Sequence, residues 1–262
     1  MVESVSKTQS AGIQSVEIGI KVLDVFAGST SAMSLKQVCE ASGMAPSKVH
    51  RYLVSFVRSG MLIQFGPNGL YDLGPTARRL GLVAMGRLDS FAIASKHLLL
   101  LRDTTGHTVC LTIWGDSGPV LVRWENGSAP LMVNLRVGSS MPLTESAIGR
   151  LFLAHMPPVV TQPVLKRQKQ MASADAGAPS LSDRELEEVR AARTVHLSSA
   201  LIAGVDAVAA PVFDAQENLS SVICLLASHE ALRGRGSAKV ISAVEETARR
   251  ISYELGYGLT EG

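Results

Sequence analysis

Six side chains within twelve residues carry the clearest chemistry in this sequence: Ser47, Lys48, His50, Arg51, Tyr52 and Arg58. All six can donate hydrogen bonds, several carry positive charge, and no acid lies among them. Arg and Lys pair with phosphate oxygens and with the O6/N7 edge of guanine, and hydroxyls read either kind of base edge. The implied chemistry is recognition of nucleic acid rather than bond making. Between these residues lie Val49, Leu53, Phe56 and Val57, at i, i+4, i+7 and i+8. That spacing predicts a helix with one apolar stripe, which leaves Ser47, Arg51 and Arg58 on the outer face, flanked by Lys48 and His50.

The elements that would hold such a helix are spelled out locally. Ser15 can cap a first helix carrying Ile18, Val22, Leu23 and Phe26, stopped by Gly28-Ser-Thr-Ser31. Ser34-Leu-Lys-Gln37 is a capping-box pattern, in which each side chain satisfies the other's exposed backbone N–H. The helix it opens turns Leu35, Val38 and Cys39 inward, and Gly43 supplies a left-handed stop. Only Met44 and Ala45 precede Pro46, a residue suited to the first turn of a helix. Two helices joined by so short a turn predict a helix-turn-helix. Met61–Phe65 and Leu70–Leu73 then read as strands about Gly66-Pro-Asn-Gly69, a hairpin placed as a wing. The start of the third helix (Ser47, Lys48, His50, Arg51, Tyr52) would meet base edges, with Arg58 and the wing tip on phosphates.

A basic helix over Pro75–Asp89 reads as a linker. Its wide apolar surface (Leu80, Val83, Ala84, Leu88) suits a two-fold contact, as a palindromic operator requires. Beyond it the pattern predicts a helix over Phe91–Asp103, strands over Val109–Trp114, Val120–Trp124 and Leu131–Val137, and a helix over Ser146–Ala154. A polar connector over Lys166–Asp183 leads to a helix over Asp183–Arg193. Apolar strands over Val205–Phe213 and Leu219–Ala227 follow, then a closing helix with Val240, Val244, Ala248, Ile251 and Leu255 inward. Clustered strands with flanking helices predict an α+β fold with an antiparallel sheet.

Composition narrows the function classes. The 262 residues are 46% hydrophobic, ample for two packed cores, and a net charge of +2 requires any nucleic-acid contact to be local. Three separated cysteines give neither a disulfide framework nor a zinc knuckle, so no metal and no cofactor is expected. The N-terminus lacks the apolar core of a secretory leader and no stretch is long enough to span a bilayer, so a cytoplasmic protein without membrane contact is expected. No nucleophile elbow or phosphate loop appears. Glu145, Ser146 and His155 could be imagined as a catalytic group, but His155 reads as a helix end, and no catalytic residues and no enzyme activity are expected.

Four stretches together resemble the isocitrate lyase regulator (IclR) family of bacterial transcription factors over roughly residues 13–258. They are Leu70-Tyr-Asp-Leu-Gly74; Val137-Gly-Ser-Ser-Met-Pro-Leu143 with Ser146-Ala-Ile-Gly-Arg150; Gly204-Val-Asp-Ala-Val-Ala-Ala-Pro-Val-Phe-Asp214; and Ala248-Arg-Arg-Ile-Ser-Tyr-Glu-Leu-Gly256. The resemblance implies a winged helix-turn-helix at 13–74, a linker helix at 75–90 and a GAF-like effector domain at 91–258. It also implies a homodimer or tetramer on double-stranded DNA, repression of a catabolic operon, and a small organic or aromatic acid as effector. By the same alignment the effector pocket falls at Ala147, Ile148, Leu197, Ala207, Cys224 and Leu226, a lining more apolar than a carboxylate site needs. The alternative is a GAF-like ligand-binding or catalytic protein whose N-terminal helices serve only dimerisation.

Overall fold

The computed structural model describes residues 12–29, 31–66, 69–87, 89–128, 131, 133–171, 181–198, 201–232 and 235–258. The chain divides into two units, residues 1–88 and 89–258.

In the first unit, α1 (Gln14–Ala27), α2 (Leu35–Ser42) and α3 (Pro46–Arg58) precede the hairpin β1 (Leu62–Gln64) and β2 (Tyr71–Leu73), and α4 (Pro75–Gly86) follows. Ser15 lies inside α1, whose cap position is Ile13 and carries no side-chain cap. The Ser34/Gln37 capping box forms at α2, and Gly43 takes the left-handed conformation at its end (φ 66°). Pro46 opens α3 as expected. Val22, Phe26, Val38, Val49, Leu53, Leu62 and Tyr71 make the core. Tyr71 also exchanges backbone hydrogen bonds with Met33 (2.7 and 2.9 Å), tying the hairpin to the segment before α2. The hairpin strands are shorter than the sequence suggested, and Pro67 and Asn68 of the expected wing tip lie outside the described residues. α4 ends at Gly86 rather than Asp89.

The second unit is built on a five-stranded antiparallel sheet in the order β4-β3-β7-β6-β5. Its elements are α5 (Ser90–Thr105), β3 (Thr108–Gly115), β4 (Gly118–Glu125), α6 (Ala147–His155), α7 (Pro158–Met171), α8 (Asp183–Ala191), β5 (Val195–Ser198), β6 (Val205–Phe213), β7 (Leu219–Ser228) and α9 (Arg235–Glu254). The alternation of strand residues divides two cores. Val208, Ala210, Val212, Ile223 and Leu225 pack with Val240, Val244, Ala248 and Ile251 of α9 and Leu98 and Leu101 of α5. On the opposite face Cys110, Ala209, Val222 and Cys224 pack with Leu151 and Phe152 of α6. The expected α+β class with an antiparallel sheet is what forms.

Four expectations about the second unit are corrected. The described residues of 131–137 are not a strand, because β4's outer edge is taken by the next segment: Gly138 N–H donates to Leu121 O (2.8 Å) and Met141 N–H to Pro119 O (2.9 Å). The alternation of Leu131, Val133 and Leu135 instead reflects one-sided packing on the α6 core. The expected connector from Lys166 begins inside α7, where Thr161 and Val164 are buried and Gln168 accepts from Leu143 N–H (2.9 Å); residues 172–180 lie outside the described residues. Finally β5, absent from the expectations, is an edge strand paired with β6, and α8 stops at Ala191 rather than Arg193.

Candidate nucleic-acid interface and ligand cavity

α3 buries Val49 and Leu53 against the first core. Ser47, Lys48, His50, Arg51 and Arg58 are exposed, and among the described residues their side chains have no ion pair. An unpaired row of donors is what a polyanion surface would engage, since no acid among the described residues competes for it. Tyr52 stands apart. Its ring stacks on Phe56 (centroids 6.4 Å apart) and lies over Gly19 of α1, where an added Cβ would come within 3.5 Å of it. One turn of helix puts residue 52 in line with residue 56, so its ring shares the inward side and supports the helix from behind.

In the second unit, Ala147, Ile148, Leu197, Ala207, Cys224 and Leu226 come together around one cavity. Leu135, Met141, Leu201, Ile202 and Val205 complete its apolar wall, and Glu145 and Ser146 supply its only polar side chains among the described residues. Residues 199 and 200, between Leu197 and Leu201, are not described. The void is narrow: about 30 Å³ admits the centre of a water-sized sphere, room for one or a few waters. Ser146 caps α6, accepting from Gly149 N–H (2.9 Å) and donating to Pro142 O (2.6 Å). Gly149 lets the helix start lie directly on the Pro142–Leu143 backbone.

The imagined catalytic group is not assembled. Ser146 and His155 sit at opposite ends of α6, about 13 Å apart at 1.5 Å per residue, and both hydrogen-bonding directions of Ser146 Oγ are taken. His155 ends α6, as expected, and is half-buried edge-on to Phe213 (5.1 Å), so it packs there rather than lying on the surface. Burial, then the charge of Arg190, lowers its pKa. Cys224 faces Cys110 across β3 and β7, both about 1% exposed, and contact with that thiol together with burial holds Cys224 well above the usual thiol range. A thiol so placed is a small hydrophobe, not a nucleophile.

Behind the cavity wall the structure holds a cluster that sequence reasoning missed. Asp206, 2% exposed, alternates with the wall residues Val205 and Ala207. His229 Nδ1 lies 3.0 Å from both of its oxygens, Ser198 Oγ donates to it (3.1 Å), and His196 Nε2 lies 3.4 Å away. The legible signal was a charged residue inside an apolar strand, which needs partners. Burial pushes the Asp206 carboxyl up, but hydrogen bonds from His229 and Ser198 outweigh it and its pKa is lowered. A lowered carboxylate stabilises the fold above its unfolded pKa of about 4 and loses that contribution as pH falls through the folded value. Asp206→Asn therefore melts below wild type at pH 7, and the gap closes as the pH drops below about 4. A gap independent of pH in thermal scans would show that the charge of Asp206 plays no part.

An exposed donor face on the second helix of a helix-turn-helix, carried on a chain with a separate α+β unit, defines a DNA-binding transcription regulator. Residues 15–64 match the IclR helix-turn-helix domain and residues 83–253 the C-terminal domain of bacterial IclR transcriptional regulators; the chain belongs to the IclR family. It is 26% identical to the DNA-binding transcriptional repressor YiaJ of Escherichia coli K12 over 96% of this chain and 91% of that protein. It is 24% identical to the glycerol operon regulatory protein of Streptomyces coelicolor over 94% and 98%. The crystal structure of Pseudomonas aeruginosa HmgR superposes with a TM-score of 0.83 at 31% identity, covering 94% of this chain and 99% of that one. YiaJ, the glycerol operon regulatory protein and both matched domains are those of transcriptional regulators, not enzymes. Among the described residues no helix is long and apolar enough to cross a membrane.

Proposed function

We propose that the chain is a ligand-responsive repressor whose α3 enters the major groove of a palindromic operator, with Ser47, Lys48, His50 and Arg51 toward base edges and Arg58 toward phosphate. The observation that carries this reading is the row of exposed, unpaired donors on α3. The division is into a reading domain at 13–74, a linker at 75–90 and an effector domain at 91–258. Repression is supported by the relative named as a repressor, and an operon target by the relative named for one. A homodimer or a tetramer is supported by the apolar surface left exposed on α4, where Leu80, Leu82 and Val83 are 54%, 73% and 46% exposed. The effector is a small organic or aromatic compound, an acid by the family resemblance, held by Ala147, Ile148, Leu197, Ala207, Cys224 and Leu226. Because the cavity is too narrow for such a compound, binding favours a widened form, and that difference in affinity is what shifts operator occupancy.

Arg51→Ala tests the reading by fluorescence anisotropy on a labelled fragment from upstream of the protein's own gene. A lost Arg–guanine contact is worth about 1–3 kcal/mol, so affinity should fall by about 5- to 150-fold. Weak, salt-sensitive binding equal in both proteins on this and other promoters would instead favour a sensor whose N-terminal helices only dimerise.

A further inference from the structure

Among the described residues, the cavity in the second unit has one ionisable side chain other than a thiol on its wall, and it is an acid. Eleven of the thirteen described lining residues are apolar, the other two are Glu145 and Ser146, and no Lys, Arg or His is among those thirteen. Glu145 is partly buried and lies also on the wall of a neighbouring groove beside α7, yet no salt bridge reaches it among the described residues. Ser146 has no proton left to donate, since its hydroxyl donates to Pro142 O, and it accepts already from Gly149 N–H.

These groups discriminate between head groups. A buried carboxylate ligand would lose its hydration among eleven apolar side chains, and repulsion by Glu145 would offset what the positive end of α6 offers it. An ammonium ligand would gain Glu145, but it would lose equal hydration and face the positive end of α6, whose first residues Ala147 and Ile148 are on the wall. A hydroxyl suits both neighbours. It can donate to the Glu145 carboxylate while accepting from a first-turn N–H of α6 that has no carbonyl of its own helix to bond. We infer that the effector is an uncharged molecule with an apolar body and one hydroxyl, a phenol or alcohol, and that Glu145 is the residue that rejects acids. This inference rests on the cavity being the effector site.

The test uses the full chain and matched benzyl and butyl series, each as alcohol, carboxylate and amine, followed by thermal shift and isothermal titration at equal millimolar concentration. The alcohols should stabilise the wild type and the carboxylates should not. In Glu145→Gln the carboxylates should gain at least about tenfold relative to the alcohols, as expected for removing a like charge beside the ligand. Carboxylates or amines binding the wild type as tightly as alcohols, or an alcohol-to-carboxylate ratio unchanged in Glu145→Gln, overturns the inference and leaves the cavity as the effector site. Ala207→Leu, which fills the wall, separates the two levels. If alcohol binding survives that change, or no compound of either series binds, the cavity is not the effector site and the parent reading fails with the inference.

Discussion

Gly149→Ala should destabilise the second unit by about 3 kcal/mol or more, the upper range for overpacking a closed site. A Cβ built at Gly149 would stand 2.1 Å from Pro142 O, 2.5 Å from Leu143 Cα and 2.7 Å from Leu143 O. All three are backbone atoms, so no side-chain rotation relieves the contact. Either α6 must lift, which displaces Ala147 and Ile148 from the cavity wall, or the Pro142–Leu143 segment must retreat, which draws on Met141 of the same wall. Gly43 offers a control: an added Cβ there meets nothing within 4 Å, and only its left-handed φ of 66° opposes a side chain. Urea unfolding of both variants decides the matter. A loss under about 1 kcal/mol at Gly149 would show that the close approach relaxes freely.

Phe152→Ala should cost about 3–5 kcal/mol, the range for removing a fully buried aromatic ring. Phe152 has no exposed surface and lies in the second core between α6 and the sheet, its ring centroid 5.6 Å from that of Trp114. The void left behind adjoins residues that also line the ligand cavity, so tryptophan fluorescence should change together with the denaturation midpoint. A shift below about 1 kcal/mol would mean that neighbouring side chains collapse into the space, contrary to close packing.

Much of the first unit was legible because its signals are local. The Ser34/Gln37 box, Gly43 and Pro46 each act within a turn of helix, and each does in the structure what its type dictates. The second unit hides elements whose support is distant. α7 is disguised by Pro158, Pro163 and a basic run, yet it is anchored by Gln168 to the backbone at Met141 and Leu143. β5 has only Val195 and Leu197 as apolar residues, and its identity comes from pairing with β6. Leu131, Val133 and Leu135 alternate like a strand because they bury one side, though another segment holds the sheet edge. The six cavity residues were placed by family resemblance rather than by any periodicity. Glu145 attracted notice as an imagined catalyst, when its position matters as part of a wall.

The order β4-β3-β7-β6-β5 has a consequence for how the chain is made. The central pairing joins Thr108–Thr112 to Val222–Leu226, across more than a hundred residues. During synthesis β3 must wait for β7 before its inner edge is closed, and long-range pairing of this kind is slow and exposes strand edges meanwhile. The first unit depends on neighbours within about sixty residues of one another and can close far sooner. A ribosome that stalls before β7 would thus release a chain with a finished helix-turn-helix and an unpaired, sticky sheet. The unit completed last is the one that carries the proposed control.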